Sequence, residues 1–321
     1  MQSRPLRLRA RDFSRLLAAS PLRIVGAVAL LLLPWSATTV HAQDLFPGAF
    51  TPAPVGFNVV TATASFSHGD LAFDPSVPIE EGRATMGGYG VGFNRTLSIG
   101  GRFSSVGLGL PFASGHLQGV VRGQLQEVTR AGQGDVSGRV AVNLYGAPAM
   151  TAKEFASYRQ ATILGVSLVV RAPIGQYVES RFINIGTNRW AFTPEFGFSR
   201  RRGRWTLEGN VGTTFFTDNP NYVGASRQQA PIVGLQGHLI YTFRPGMWLA
   251  GDGNFWRGGR TTTDGVVATV EQKNSRLGIT FARPIRRQQW RIAYSFGAYT
   301  TVGGDFHSVG MSYSYAWAAR P

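Results

Sequence analysis

Large apolar residues recur at every second position through most of the chain. In residues 190–199 one face reads Trp190, Phe192, Pro194, Phe196 and Phe198, and the other Ala191, Thr193, Glu195, Gly197 and Ser199. Val309, Met311, Tyr313, Tyr315 and Trp317 alternate with glycine, serine and alanine, and Val233, Leu235, Leu239, Tyr241 and Phe243 with Gln236, His238 and Thr242. Leu277, Ile279 and Phe281 are offset against Arg276, Gly278 and Thr280, and Trp290, Ile292, Tyr294 and Phe296 against Arg291, Ala293 and Ser295. A period of two marks strands with one apolar and one polar face.

Two architectures satisfy that pattern. A soluble sandwich turns the apolar face inward, and a transmembrane barrel turns it outward to lipid. The segments run to about 10–14 residues, the length of a tilted membrane strand and longer than the ~5–6 of an average strand. Aromatics fall at segment ends (Trp190, Trp205, Phe215, Tyr241, Phe243, Trp248, Trp256, Trp290 and Trp317), as interfacial girdles require. Hydrocarbon leaves no backbone group without a partner, so the sheet must close. The expected fold class is therefore all-β, a single antiparallel up-and-down transmembrane β-barrel. Twelve strands are expected, near 57–67, 84–94, 97–108, 134–145, 161–171, 189–200, 203–216, 230–243, 247–257, 274–284, 288–299 and 306–317, with ten or fourteen left open.

Short turns are expected at 94–96, 200–203, 244–246 and 286–288, and long polar loops near 68–83, 172–188, 217–229, 258–273 and 300–305. Bacterial barrels keep short turns periplasmic and long loops outside. Residues 111–133 read as one long external loop, which preserves that parity, and 146–160 as a short helix in a periplasmic turn. A Pro-rich arm, residues 43–56, precedes the barrel at 57–317 and either hangs in the periplasm or plugs the lumen. Residues 318–321 form an overhang.

The first 42 residues read as a cleaved signal peptide. An Arg-rich stretch precedes the apolar run from Ile24 to Trp35, and Val40-His41-Ala42 has the small-residue pattern of a signal-peptidase site, leaving Gln43 first. The run is too short to cross a bilayer as a helix, which takes about 20 residues. An exported barrel belongs in the cell outer membrane.

Composition narrows the chemistry. The absence of cysteine excludes a disulfide scaffold, a thiolate metal site and a Cys nucleophile. Charged residues make up 15%, below the roughly 25% of a soluble domain. The formal charge is +15, but six arginines against one acid lie in residues 1–42, so about +10 remains beyond them. Those charges are scattered, and no nucleic acid is expected as a partner.

An Arg facing lipid at mid-membrane costs about 2–4 kcal/mol, so polar strand positions should point into the lumen. The candidate solute path is Arg139, Asn143, Glu195, Glu208, Asn210, Gln236, His238, Asp252, Asn254, Arg276 and Arg291. The competing reading is bracing, with Glu195 and Glu208 paired to arginines and nothing passing. Neither His-Glu-x-x-His nor Gly-x-Ser-x-Gly occurs. His238 and Asp252 form a thinkable base and orienter, but no nucleophile is marked, so no catalytic residues, metal or cofactor are expected.

The middle of the chain resembles a known family. Gly132-x-Gly134-Asp135, Pro173-x-Gly175-x-Tyr177, Asn184-Ile-Gly186-Thr-Asn188-Arg189-Trp190, Pro194-Glu195-Phe196-Gly197, Trp205-Thr-Leu-Glu208 and Phe215-Phe216-Thr-Asp218-Asn219 follow in that order. The series resembles the outer-membrane transporter family named for the meta-pathway of phenol degradation (MetA-like outer-membrane β-barrels), over roughly residues 55–317. The resemblance implies a channel passing small aromatic or hydrophobic compounds; the alternative is a non-conducting structural or surface-binding barrel. The final strand, ending at Trp317, resembles the signal read by the barrel-assembly machinery. Membrane lipid, lipopolysaccharide and a small hydrophobic solute are the remaining expected partners.

Overall fold

The computed structural model describes residues 47–73, 79–121 and 123–318. The expected signal peptide, residues 43–46 of the expected arm and the last three residues of the overhang lie outside them.

The described residues form seventeen strands and one short helix: β1 (Phe57–Ala72), β2 (Ile79–Ile99), β3 (Arg102–Val121), β4 (Gln124–Gln133), β5 (Val136–Tyr145), α1 (Ala152–Ser157), β6 (Thr162–Ala172), β7 (Ala191–Arg202), β8 (Trp205–Phe216), β9 (Asn219–Tyr222), β10 (Ala225–Gln229), β11 (Ile232–Arg244), β12 (Met247–Gly258), β13 (Thr261–Thr263), β14 (Val266–Val267), β15 (Gln272–Ile285), β16 (Gln288–Tyr299) and β17 (Gly303–Ala318). Twelve of them close a barrel in the order β1, β2, β3, β5, β6, β7, β8, β11, β12, β15, β16, β17. β17 pairs antiparallel with β1 from Phe57↔Ala318 to Ala72↔Gly303 and completes the ring. The expected count of twelve holds.

Polarity follows the membrane rule. Leu207, Leu235, Leu239, Ile279, Ile292 and Val309 stand exposed on the outer wall, while Glu208, His238, Asp252 and Asn254, their neighbours in sequence or register, are all buried inside. Such a continuous exposed apolar surface is rare on a soluble monomer. The sandwich alternative is excluded, because it would reverse those two faces.

Several features differ from expectation. The loop expected near 68–83 is mostly strand, since β1 runs on to Ala72 and β2 begins at Ile79. Residues 111–133 do not form a loop: β3 continues to Val121 and pairs with β4 from Phe112↔Gln133 to Val121↔Gln124. This hairpin rises from the wall beside the extended end of β2 and adds nothing to the ring, so the count survives for a different reason than parity. The turn expected at 94–96 is strand. The chain reverses at Gly100-Gly101 instead, where φ is +56° and +72° and Ile99 faces Arg102, the left-handed pair that a two-residue hairpin requires. The loops near 217–229 and 258–273 are partly ordered as a separate four-stranded sheet of β9, β10, β13 and β14. Trp248 and Trp256, expected in the girdle, lie inside: they alternate in phase with Asp252 and Asn254, Trp256 is buried, and the Arg291 guanidinium lies 5.5 Å from the Trp248 ring centroid.

The end with the short turns also carries α1. Thr151 and Glu154 form a capping box there, each side chain bonding the other's backbone N–H. Tyr158 Oη donates to Gly146 O at 2.6 Å and ties this turn down.

Candidate functional site

Directly opposed residues in an antiparallel ladder share a face. One row therefore runs around the wall: Asn143↔Gly165, Gly165↔Gly197, Gly197↔Asn210, Asn210↔Gln236, Gln236↔Asn254 and Asn254↔Arg276. The next row, toward the short turns, contains Ser199↔Glu208, Glu208↔His238 and His238↔Asp252. Arg139, Glu195 and Arg291 have the same phase on their strands. All eleven candidate positions thus occupy the inner wall; Arg291 lies over Trp248, and the other ten fall into three overlapping groups.

The first group holds the N-terminal arm. Residues 47–56 lie at the short-turn end, and Phe50 is buried among Phe103, Ala141, Ala147 and Ile163, with Ala53 packed alongside. The Asn143 amide donates to Phe50 O at 2.9 Å, Arg139 Nη1 donates to Ala49 O at 3.3 Å, and the Gly48 N–H donates to Glu208 Oε2 at 2.6 Å. The Arg139 guanidinium stands 5.1 Å from the Phe50 ring centroid. Gly165 and Gly197 supply the seat, since a Cβ on either would overlap the Phe50 ring. Farther along, Thr96 Oγ1 donates to Pro54 O at 2.6 Å and the Val55 N–H to Met150 O at 2.8 Å. The open question of the arm is answered for Gly48, Ala49 and Phe50: they lie against the inner wall.

The second group braces the wall. Arg139 Nη2 meets Glu195 Oε2 at 3.3 Å and donates to Ser167 Oγ at 3.0 Å, and Ser167 donates to the same Glu195 oxygen. His238 Nδ1–H donates to Asp252 Oδ1 at 2.8 Å, and Thr280 Oγ1 donates to Asp252 Oδ2 at 2.6 Å. The hydroxyl nearest this pair therefore binds the carboxylate, whereas a nucleophile would need to meet the ring. Arg276 donates to Phe306 O at 3.1 Å and to Ser308 Oγ at 2.7 Å. Among the described residues, no group of three or more His, Asp or Glu side chains is placed to hold a metal ion.

The third group lines a chamber in the lumen beyond the arm. Asn210, Gln236, Asn254 and Glu195 form its deeper part, and Arg171, Thr193, Thr214, Phe216, Ile232 and Trp256 its outer part. Its volume is about 80 Å³, below the ~150 Å³ of a closed cavity that takes in benzene. It is partly open, and it accepts no more than a single ring.

Above the chamber, the loop at 173–190 is tied to the barrel by side chains. Asp135 Oδ1 accepts the Gly175 N–H at 2.9 Å, and Oδ2 accepts the Thr187 N–H at 2.9 Å and its hydroxyl at 2.6 Å. Asn188 donates to Asn219 Oδ1, and Asn219 donates to Tyr177 Oη, both at 2.8 Å. Asn184 closes the loop on itself through Val178 N–H at 2.8 Å.

A family model described as "Putative MetA-pathway of phenol degradation" matches residues 45–315. The chain belongs to this family. No curated protein matches it. The COG4313 outer membrane channel from Pseudomonas putida F1 superposes with a TM-score of 0.72 at 18% identity, covering 85% of this chain and 100% of that one. The fold is that of an outer-membrane barrel. Lower in likeness are the transport unit of the autotransporter AIDA-I from Escherichia coli (TM-score 0.48, 9% identity, 94% and 100% covered) and the TodX monoaromatic hydrocarbon channel deltaS2 mutant (0.46, 10%, 84% and 91%).

In this member of the MetA-pathway family, the motif residues Asp135, Gly175, Tyr177, Thr187, Asn188 and Asn219 converge on one knot. Those residues hold a loop and line no passage. What sequence reasoning missed is the other half of the site: Phe50 with its glycine seat, and Arg171, Phe216 and Trp256 in the chamber. Arg171 and Trp256 could have been found by counting phase from Ser167 and Asp252. Phe50 carries no such signal, because the arm does not alternate.

Proposed function

We propose that this protein is an outer-membrane channel for small, mostly apolar solutes, the kind its family name suggests and the kind named for the TodX channel. The chamber carries the reading. A barrel built only for structure has no use for a partly open space bounded by Phe216, Ile232 and Trp256 and floored by amides. Twelve strands leave a lumen between the filled 8-strand barrels and the open 16–18-strand porins, and the arm narrows it further. The eleven inner-wall residues are assigned as the solute path and its frame, with Arg139, Asn143 and Glu208 holding the arm. Lipid and lipopolysaccharide surround the outer wall, and the strand ending at Trp317 is the segment offered to the assembly machinery.

The test is current and uptake. Purified protein in planar bilayers should give small, discrete conductance steps, and liposomes containing it should admit phenol-sized solutes faster than disaccharides. Silence in both assays would leave the second reading, a sealed structural barrel, which the burial of Phe50 inside the lumen favours.

A further inference from the structure

Charge is divided unevenly between the two ends of the barrel. At the long-loop end acids and cations are nearly balanced, and the ion pairs found outside the lumen among the described residues lie there. They join Arg83 to Asp70 at 3.5 Å, His116 to Glu127 at 3.7 Å and Arg257 to Glu271 at 2.7 Å. The lumen is balanced too, with Arg139, Arg276 and Arg291 set among Glu195, Glu208 and Asp252. The short-turn end is different. Arginines crowd its turns at 200–204 and 283–287 and flank the reversal at Gly100-Gly101. The sole exposed acid at that end, among the described residues, is Glu154, which the α1 capping box engages. The positive surplus of the described chain therefore sits at one end.

Six of these arginines, Arg95, Arg102, Arg200, Arg202, Arg204 and Arg283, are exposed. Arg200 and Arg202 follow Phe196 and Phe198 in the lipid-facing phase of β7, Arg283 follows Ile279 and Phe281 on β15, and Arg95 follows Val91 and Phe93 on β2. They reach the bilayer edge beside aromatic rings. Arg202 is opposed to Trp205 and Arg283 to Trp290 across their ladders. Arg204 Nη1 donates to Tyr241 Oη at 3.3 Å, and the Tyr241 ring lies 4.9 Å from that of Trp205. Phe93, two residues before Arg95, stands 6.4 Å from Trp317. Such rings mark the headgroup level of a bilayer. Gathering like charges there costs energy unless anions answer them.

We infer that this rim seats the headgroup phosphates of anionic phospholipids, in the leaflet at the short-turn end, the periplasmic one in bacterial barrels. An anionic lipid surface attracts arginines clustered beside it, and the guanidinium fork matches phosphate in shape and charge. A zwitterionic headgroup carries its own cation and leaves the surplus unanswered. An acidic soluble partner fits less well, because Arg95, Arg200, Arg202 and Arg283 continue the lipid-facing side of their strands. The inference needs a barrel in a bilayer and does not depend on the channel reading.

Electron spin resonance of the reconstituted barrel tests this. Phosphatidylcholine vesicles at low salt carry either spin-labelled phosphatidylglycerol or spin-labelled phosphatidylcholine, and the fraction of label immobilised at the barrel gives their relative association. Phosphatidylglycerol should associate more strongly by about threefold or more. Arg200→Gln/Arg202→Gln/Arg283→Gln should remove most of that preference, whereas Arg83→Gln/Arg181→Gln/Arg260→Gln, at the other end, should keep it. The wild-type comparison stands even if a variant fails to fold. Equal association of the two lipids with the wild-type barrel overturns the inference, and poly-L-glutamate bound by that barrel would then give the rim to an acidic soluble partner. An equal loss in both triple variants also overturns it, since net charge rather than the rim would set the preference.

Discussion

Gly48 and Glu208 are 160 positions apart in the chain, and the backbone N–H of the first donates to the carboxylate of the second at 2.6 Å. The same carboxylate accepts the Ser199 hydroxyl at 3.2 Å. This side chain on β8 holds the arm to the wall together with Arg139 and Asn143.

Glu208→Ala should loosen the arm. The lost anchor leaves a donor without a partner, worth about 1–3 kcal/mol. Single-channel conductance should rise several-fold, and deletion of residues 47–55 should give the same rise. A deletion that leaves conductance at the wild-type value would show that the arm does not limit flow.

Gly197→Ala tests the seat. Its new methyl group overlaps the Phe50 ring, so the arm must leave or the wall must bend. The chain has no cysteine, which makes an Ala53→Cys substitution a unique reporter. Maleimide labelling of that thiol should be slow in the otherwise native barrel and at least tenfold faster with Gly197→Ala. Adding Phe50→Ala, which removes the overlap, should bring the labelling rate back toward the native one. Equal labelling rates in both backgrounds would place Phe50 elsewhere.

Asp252→Ala removes the acceptor of both His238 and Thr280. Each buried donor left without its acceptor costs about 1–3 kcal/mol, so the temperature of heat-modified gel migration should fall clearly. Thr280→Val should cost only about 1 kcal/mol. If the two variants melt together, the His238 bond contributes nothing beyond the hydroxyl's.

The α1 cap should respond to acid. The Thr151 N–H, and after it the Thr151 hydroxyl, hold the Glu154 carboxyl below its usual value of 4.5. A carboxylate with a depressed folded pKa stabilises fully above its unfolded value and loses that contribution as pH falls through the folded one. Amide exchange across residues 151–158 should therefore be flat from neutrality down to about the ordinary glutamate range and accelerate below it. Glu154→Gln should flatten the profile.

The strands were legible because lipid and lumen impose opposite demands on alternate residues, so Leu207 and Glu208 had to face opposite ways. Above the membrane both faces meet water, and the code lapses, so β4 reads as loop. Asn94 and Thr96 read as a turn because they are polar, yet polarity there marks the lumen, while the real reversal at Gly100-Gly101 is written in backbone freedom. Size alone puts Trp248 and Trp256 in the girdle, whereas their phase with Asp252 decides. The bonds from Phe50 and Gly48 join positions 93 to 160 apart, and no local pattern announces such a meeting.

The arm runs directly into β1, whose ladder with β17 joins residues as far apart as Phe57 and Ala318. Closing a loop of that length carries the largest entropic penalty of any ladder in the ring, so this seam should zip last. Stopper and seam are therefore borne on one continuous stretch of chain, and a pull on the N-terminus would load the hoop at the joint it closes last.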